Sequence, residues 1–153
     1  MITIVHVVNQ FFAGLGGEDK AGMPVGVIDG SAGAARGLQL QLGDEAKITR
    51  TIYYGDNYFH EHKEDAMKAI LDAVRSAQPQ TLVAGPAFNS GRYGVSCVEV
   101  CNAIANDLGI SCVTAMHEDN PGIGTYLGFA NSRVYCLPTA ETAAGMICRA
   151  LPP

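Results

Sequence analysis

Short apolar segments rich in β-branched residues alternate along the chain with longer segments in which apolar residues recur every three or four positions. The short segments predict β-strands, and the longer ones predict helices. Strands are predicted at Ile2 to Gln10, Ala46 to Gly55, Thr81 to Phe88, Ser111 to Glu118 and Val134 to Pro138. This alternation is typical of an α/β fold, here a doubly wound, mostly parallel sheet of about four or five strands with helices on both faces.

Three helices are predicted between and after these strands. They cover His60 to Gln78, Tyr93 to Gly109 and Thr139 to about Leu151. Pro79 ends the first of them, because proline lacks the amide hydrogen that a helix interior needs. The glycine-rich segment from Pro24 to Gly43 is predicted as a loop, with a short helix at Ala32 to Gln41 as an alternative. The sequence DNPGIG after the fourth strand is predicted as a turn.

The composition indicates one domain that spans residues 1–153. Apolar residues make up 48% of the chain and charged residues 16%, which suits a compact core. The formal net charge is −5 and no basic cluster is present, which argues against nucleic acid as a partner. No apolar stretch approaches the roughly 20 residues that cross a bilayer, and the N-terminus lacks a signal-peptide pattern. We therefore predict a cytoplasmic protein without a membrane partner.

The five cysteines lie in segments that otherwise resemble a core, and their odd number predicts reduced thiols rather than disulfides. Cys97 and Cys101 are four residues apart and share a helical stripe with Ile104 and Leu108. This spacing favours buried thiols that pack as small apolar groups. The alternative is reactivity, above all at Cys97, because it lies closer to the positive end of its helix.

Polar residues gather after the carboxyl ends of the first four predicted strands. In open parallel sheets, ligands bind at this edge, in the crevice where the strand order reverses. The candidate substrate-binding residues are Glu18, Asp56, Asn57, Asn89, Arg92, Tyr93, His117 and Glu118. No catalytic residue is assigned. A metal site is not predicted, because no C-x-x-C pattern or other set of three or four convergent ligands is indicated.

Two loops are candidates for binding an anion. They contain Gly14, Gly16 and Gly17 after the first strand, and Ser90 and Gly91 before the helix that follows the third strand. Glycine lets a ligand approach the backbone, and a helix start offers free amide hydrogens. The spacing is not G-x-G-x-x-G, so nucleotide binding competes with a simpler interpretation, a glycine-rich loop with unusual backbone angles.

Arg92 lies just before a predicted helix start, where its guanidinium group could clamp a carboxylate or a phosphate. The alternative is a surface arginine paired with an acid such as Glu118. His117 and Glu118 could act as an acid–base pair or as ligands for an amine. A purely structural histidine is the alternative for His117. The sequence leaves both pairs of alternatives open.

Four segments in order, VNQFFAGLGGEDKAGMP, GDNYF, AGPAFNSGRYGVSC and HEDNPG, resemble the large selenoprotein subunit of component B of the glycine, sarcosine and betaine reductases. The similarity spans nearly the whole chain. It implies membership of a complex that reductively cleaves the C–N bond of a small amino acid or of its N-methylated relative. It also implies a selenocysteine and a pyruvoyl group on a partner subunit, both expected elsewhere in the complex. No cofactor is expected in this chain itself.

The resemblance implies the N-terminal domain of such a subunit, without the selenocysteine and inactive in isolation. This domain would contribute to the cleft for the small amino acid or amine, or to a subunit interface. By charge and position, Arg92 would hold the substrate carboxylate, and Glu18, Asp56 or Glu118 would face its ammonium group. The expected partners are the other subunits of the reductase complex, with a homo-oligomer as a further option. The alternative is a non-catalytic small-molecule-binding or assembly module.

Overall fold

The structure of the chain is a computed structural model, and it describes residues 1–142. The strands are β1 (Ile2–Asn9), β2 (Gly26–Asp29), β3 (Ala46–Tyr54), β4 (Thr81–Phe88), β5 (Ser111–Met116) and β6 (Val134–Pro138). The helices are α1 (Ala34–Leu42), α2 (Asp56–Glu61), α3 (Lys63–Ala77), α4 (Gly91–Leu108) and α5 (Gly122–Phe129), and a short 3₁₀ helix covers Glu18–Lys20.

The six strands form one sheet in the order β2-β3-β1-β4-β5-β6. All neighbouring strands are parallel except β2 and β3, which are antiparallel. The chain first adds β3 on one side of β1, and it then crosses over to add β4, β5 and β6 on the other side. The predicted doubly wound, mostly parallel sheet is therefore confirmed, and its winding reverses between β1 and β4.

The sheet has more strands than predicted because β2 forms inside the segment from Pro24 to Gly43. This strand has only four residues, pairs along the edge of the sheet and buries none of its side chains completely. A strand so short and so exposed has no continuous apolar run that could predict it. The alternative considered for the same segment, a short helix, is present as α1.

Two predicted elements have different bounds in the structure, and a third is only partly described. The helix predicted over His60 to Gln78 is divided into α2 and α3, which break at His62. The sequence DNPGIG starts a helix rather than a simple turn, because Pro121 has a φ of −59° and leads directly into α5. The last predicted helix does not begin at Thr139, since residues 139–142 are irregular. The rest of that prediction lies outside the described residues.

Helices lie on both faces of the sheet, as predicted. Val5 of β1 belongs to the larger core together with Ile70 of α3 and Ile104 of α4. Ile4, the preceding residue, packs on the opposite face against Ala35 of α1. Because successive residues of a strand point to opposite faces, β1 supplies side chains to both cores. This central, doubly covered strand ends at the edge of the sheet where ligands are expected.

The thiols of the large core are buried, as their helical spacing predicts. Cys97 and Cys101 of α4 and Cys112 of β5 have no exposed surface, and all three are free cysteines. Cys136 of β6 is partly buried, and Cys148 lies outside the described residues. Within residues 1–142, no helix is both long and apolar enough to cross a membrane.

Candidate functional site

A cleft of about 530 Å³ lies at the carboxyl ends of the strands, where the winding of the sheet reverses. Its walls come from four loops: residues 9–12 and 17–18 after β1, residue 56 after β3, residues 87–90 after β4 and residues 141–142 after β6. Open parallel sheets bind their ligands at this place. The strand order thus brings together loops that are far apart in the sequence.

Asp56 is the buried charged group of the cleft, with only 5% of the residue exposed. It begins α2, and its backbone N–H donates to Oε1 of Gln10 over 3.1 Å. Its Oδ2 accepts a hydrogen bond from Nδ2 of Asn9 over 3.0 Å, whereas its Oδ1 has no hydrogen-bond partner among the described residues. Burial raises the pKa of the Asp56 carboxyl group, and the positive charge of Arg92 opposes that rise.

Asn9 connects Asp56 to the aromatic wall of the cleft. The side chain is buried, and its Nδ2 donates to Asp56 while its Oδ1 accepts the backbone N–H of Phe12 over 2.9 Å. Each end of the amide is therefore used, which fixes its orientation. A single buried side chain thus sets the position of the carboxylate relative to the loop that carries Phe12.

Three phenylalanine rings line the cleft. The ring centroids of Phe12 and Phe88 are 5.8 Å apart, and the ring of Phe11 meets that of Phe12 edge-on at 5.2 Å. Behind this wall, Tyr93 is buried and stacks on Phe12 at 5.5 Å. Phe88 has a positive φ of 52°, which is uncommon for a residue with a side chain. Its carbonyl group accepts two hydrogen bonds, one from Nδ2 of Asn120 over 3.1 Å and one from the backbone N–H of His117 over 2.8 Å.

Arg92 lies at the rim of the cleft, in the first turn of α4. Its Nη2 donates to Oε1 of Glu18 over 2.6 Å, and its Nη1 donates to Oδ1 of Asn57. Its backbone carbonyl group accepts a hydrogen bond from Nε2 of His60 over 3.2 Å. The acid paired with Arg92 is therefore Glu18 rather than Glu118. This contact joins the loop after β1 to the start of α4 across the mouth of the cleft.

The structure gathers most of the sequence-predicted residues, but not all of them. At the cleft or its rim lie Gly17, Glu18, Asp56, Asn57, Asn89, Ser90 and Arg92. Gly14, Gly16, Gly91, Tyr93, His117 and Glu118 do not line it. His117 is close behind the wall, with its Nε2 3.9 Å from Oε1 of Glu141, and its Nδ1 accepts the N–H of Asp119 over 3.1 Å.

Several residues of the cleft were not among the sequence-predicted ones. They include Phe11, Phe12, Phe88 and Glu141. Phe11 and Phe12 lie in the loop that follows the carboxyl end of β1, so the position of that strand was the signal that could have identified them. Glu141 gave no such signal, because its segment was assigned to a helix.

The charge of the cleft is negative. Its walls include the carboxylates of Glu18, Asp56 and Glu141, and within residues 1–142 they include no Lys, Arg or His. A wall of this kind favours a cation and disfavours the phosphates of a nucleotide. The same part of the chain contains no group of three or more His, Cys, Asp or Glu side chains that could hold a metal ion.

The fold is a doubly wound α/β fold with a cleft at the reversal point of its sheet. The chain belongs to the glycine/sarcosine/betaine reductase selenoprotein B family, whose model matches residues 1–151. The resemblance stated from the sequence motifs is confirmed by this match.

Individual relatives support the same assignment. The chain is 46% identical over 145 residues to the sarcosine reductase complex component B subunit beta of Peptoclostridium acidaminophilum, covering 95% of this chain and 32% of the relative. It is 41% identical over 145 residues to the glycine reductase complex component B subunit gamma of Peptoclostridium litorale, with the same coverage. A match of 41% over 115 residues, 75% of this chain and 26% of the relative, is found with the betaine reductase complex component B subunit beta of P. acidaminophilum.

The chain spans about a third of the length of the first two of these relatives. The names of all three relatives describe subunits of multi-subunit reductase complexes. The activity and the substrates of the complete complexes are therefore a matter of inference for this chain.

Proposed function

We propose that this domain forms the substrate cleft of a component-B-type reductase and binds a small amino acid through its two charged ends. The ammonium group contacts Asp56 in the cleft, and the carboxylate contacts Arg92 at the rim. Membership of the family supports this class of substrate, since relatives are named for glycine, sarcosine and betaine. The negative, partly aromatic cleft supports the position of the ammonium group.

The unpaired oxygen of Asp56 carries the proposal. Leaving a buried polar atom without a hydrogen bond costs about 1 to 3 kcal/mol. Asp56 bears such a cost in residues 1–142, because its Oδ2 is held by Asn9 while its Oδ1 has no donor there. Perturbed, partly satisfied carboxyl groups of this kind concentrate at functional sites. An ammonium group supplies both the missing N–H donor and the opposite charge.

Glu18 occupies the place that the substrate carboxylate takes in this proposal. The side chains of Arg92 and Glu18 are 43% and 75% exposed, and exposed ion pairs contribute only about 0 to 1 kcal/mol. A carboxylate ligand can therefore displace Glu18 from the guanidinium group at little cost. Asn57, which also accepts from Arg92, directly follows Asp56 in α2, so both binding groups are positioned by neighbouring residues. That proximity suits a substrate as short as glycine.

The resemblance assigns the bond-breaking chemistry to a selenocysteine and a pyruvoyl group that belong elsewhere in the complex. The residues of this domain would bind and orient the amino acid and shield its α-carbon from bulk water. Phe11, Phe12 and Phe88 provide the apolar part of that shield. Asp56 and Arg92 would fix the two ends of the molecule, so that the carbon between them has one orientation.

Titration calorimetry of the full chain with glycine, sarcosine and betaine tests the proposal. Glu18→Gln should strengthen binding by up to about fivefold, because it removes the carboxylate that competes for Arg92. Arg92→Met should weaken binding by about 10- to 100-fold, because a charge-assisted hydrogen bond to the ligand is lost. Asp19→Asn is the matched control: it removes the same charge from the neighbouring exposed residue and should leave affinity unchanged.

Unchanged affinity in both the Glu18 and the Arg92 variants would show that the carboxylate binds elsewhere. The absence of binding by all three ligands would contradict the substrate cleft itself. Melting temperatures of the variants should stay close to that of the parent chain, because the Arg92–Glu18 pair is exposed.

An assembly module is the second candidate, and the sheet face opposite α4 favours it. On this face Val83, Val113 and Tyr135 are aligned across three strands, and Ala115 is aligned with Leu137. Tyr135 and Leu137 are each 52% exposed in the described structure. Parallel sheets normally have both faces covered, so this row suits contact with another part of the complex. Binding to a partner subunit without binding of any of the three ligands would favour this function.

A further inference from the structure

The two faces of the sheet at β5 and β6 differ in exposure. On the face that packs against α4, the aligned residues of β4, β5 and β6 are 0%, 0% and 3% exposed; they are Leu82, Cys112 and Val134. On the opposite face, Tyr135 and Leu137 of β6 are each 52% exposed in the described structure. Parallel strands normally lie between two covered faces. The exposed face therefore suits an occupant that the described part of the chain does not supply.

The exposed surface is a single row of side chains across three strands, which we call the open row. It consists of Val83, Val113, Ala115, Tyr135 and Leu137. Of this row, Val83 contributes to the cluster that packs under α1 on the same face. A stable contact between two proteins usually takes about 800 Å² and about 20 to 30 residues from each partner. The row is too small for that, but a helix about 10 Å across covers two or three strands spaced about 4.8 Å apart.

The chain leaves β6 in the direction of the open row. The backbone N–H of Thr139 donates to the carbonyl group of Met116, at the end of β5, over 3.1 Å. The backbone N–H of Asn89, just after β4, donates to the carbonyl group of Glu141 over 3.1 Å. These contacts carry the chain from β6 past β5 to β4 along the carboxyl edge of the sheet. The following residues therefore start beside β4 and β5, where α4 already occupies one face and the open row lies on the other.

The sequence of residues 143–151 has the pattern of a helix with one apolar side. Apolar residues recur there at i, i+3, i+4, i+7 and i+8, namely at Ala143, Met146, Ile147, Ala150 and Leu151. The charged residue of this segment, Arg149, falls on the other side of such a helix. A helix of this length measures about 13 Å, which is close to the roughly 16 Å of a strand as long as β6.

We propose that residues 143–151 form a helix whose apolar side docks on the open row. The occupant of this face is thus a segment of the same chain. The stretch from Thr139 to Thr142 is then held by β6 at one end and by the docked helix at the other, which fixes the part of the cleft wall that contains Glu141. An assembly module would instead place another subunit on the row. The inference does not depend on which ligand the cleft binds.

A single fluorescent residue on the open row tests the docking. The chain contains no tryptophan, so Tyr135→Trp introduces a unique reporter. In the full chain this tryptophan should be shielded from acrylamide. Ile147→Asp in the same background should increase the quenching and shift the emission to longer wavelength. The change should weaken docking by about 10- to 100-fold or more, because a buried isoleucine is replaced by a charged group.

Cys148→Asp is the matched control, because it introduces the same carboxylate one position further along, on the other side of the helix. It should leave quenching and emission unchanged. Amide hydrogen exchange in residues 143–151 should be about 10- to 100-fold faster in Ile147→Asp than in Cys148→Asp. Exchange in β1 should be the same in both, which shows that the sheet remains folded. If exchange in β1 rises in Ile147→Asp, the milder Ile147→Ala should give the same direction of change.

Three results would overturn the proposal. The first is quenching of the tryptophan at position 135 that does not respond to Ile147→Asp, because the segment then does not cover the row. The second is an equal effect of Ile147→Asp and Cys148→Asp, because the contact then has no apolar side. The third is shielding that appears only at high concentration of the chain, which would identify a second copy as the occupant, or only after another subunit is added, which would identify an assembly surface.

Discussion

Asp56 has a carboxyl group that is almost fully buried at the end of a strand, with one oxygen bonded to Asn9 and the other unpaired in the described structure. Folding alone gains nothing from such a group, because desolvating a charge without full compensation is unfavourable. The sequence could predict Asp56 as a site residue from its position after β3. It could not predict the bond to Asn9, because that contact depends on how β1 and β3 are aligned.

Asp56→Asn should increase stability and remove a pH dependence. Burial raises the folded-state pKa of this group above its usual value of 3.8, so the folded state holds the proton more tightly than the unfolded state does. The free energy of unfolding should therefore fall as the pH rises from about 3.8 through the raised pKa. The variant should lack this decrease and be about 1 kcal/mol more stable near pH 7, measured by urea unfolding at several pH values.

Asp19→Asn serves as the control for this pH series, since an exposed carboxyl group has little desolvation to relieve. If Asp56→Asn is less stable than the parent chain at every pH, the carboxylate is compensated by its surroundings and the argument for a missing donor is wrong. The ionisation of Asp56 should change ligand affinity with pH in the direction opposite to the change in stability. Affinity for an ammonium ligand should increase as the pH rises and Asp56 loses its proton.

Among the elements, α4 and α5 determine the geometry of the loop after β4. The side chain of Asn120, just before α5, donates to the carbonyl groups of Phe88 and Ser90 over 3.1 Å each, and its Oδ1 accepts the N–H of Gly122. Gly94 in α4 leaves the room for this side chain. A Cβ atom at position 94 would lie 2.1 Å from Oδ1 of Asn120.

Gly94→Ala should therefore destabilise the protein by about 2 to 3 kcal/mol, because it displaces a buried side chain that makes three hydrogen bonds. Gly37→Ala in α1 is the matched control, because nothing lies within 4 Å of the added Cβ there. The control should be neutral or stabilising by up to about 1 kcal/mol, since alanine favours helix. Chemical denaturation measures both. Equal stability of the two variants would show that α4 and α5 can move apart without loss.

The bounds of the elements were predictable where apolar patterns are long. β4 was predicted with the bounds that it has, and α4 begins only two residues earlier than predicted. β2 was missed because four half-exposed residues gain their hydrogen bonds from β3 rather than from any local preference. α5 was missed because its many glycines and the preceding proline are typical of turns, although its tertiary contacts with α4 stabilise a helix.

At the scale of the whole molecule, the cleft follows from strand order. The sequence predicted a sheet and the edge at which ligands bind, but not that β1 separates β3 from β4. Only that order places residues 9–12, 56 and 87–90 around one cavity. The loops predicted to bind an anion show what glycine content alone cannot predict. Glycine content showed where the backbone is free, but not that the carboxylates of Glu18, Asp56 and Glu141 would make the cavity negative.

The same topology buries the thiols of Cys97, Cys101 and Cys112 in the large core. Burial raises the pKa of Cys97, and hydrogen bonding with Cys112 together with burial raises the pKa of Cys101. A nucleophilic sulfur needs an accessible thiolate, so these groups should be inert. In the folded chain, iodoacetamide should modify Cys97, Cys101 and Cys112 at least about 1,000-fold more slowly than in urea, because modification requires unfolding. Mass spectrometry of peptides locates each modified residue.

Modification in urea is the control, because it shows that every thiol can react once it is accessible. Rapid modification of Cys97 in the folded chain, with loss of ligand binding, would support the alternative that Cys97 is a reactive thiol, which the helical spacing disfavours. Slow modification at all three positions excludes these thiols as the nucleophile of a reductase of glycine or its relatives. Under the proposed function, the reactive sulfur or selenium is then a group other than these three thiols.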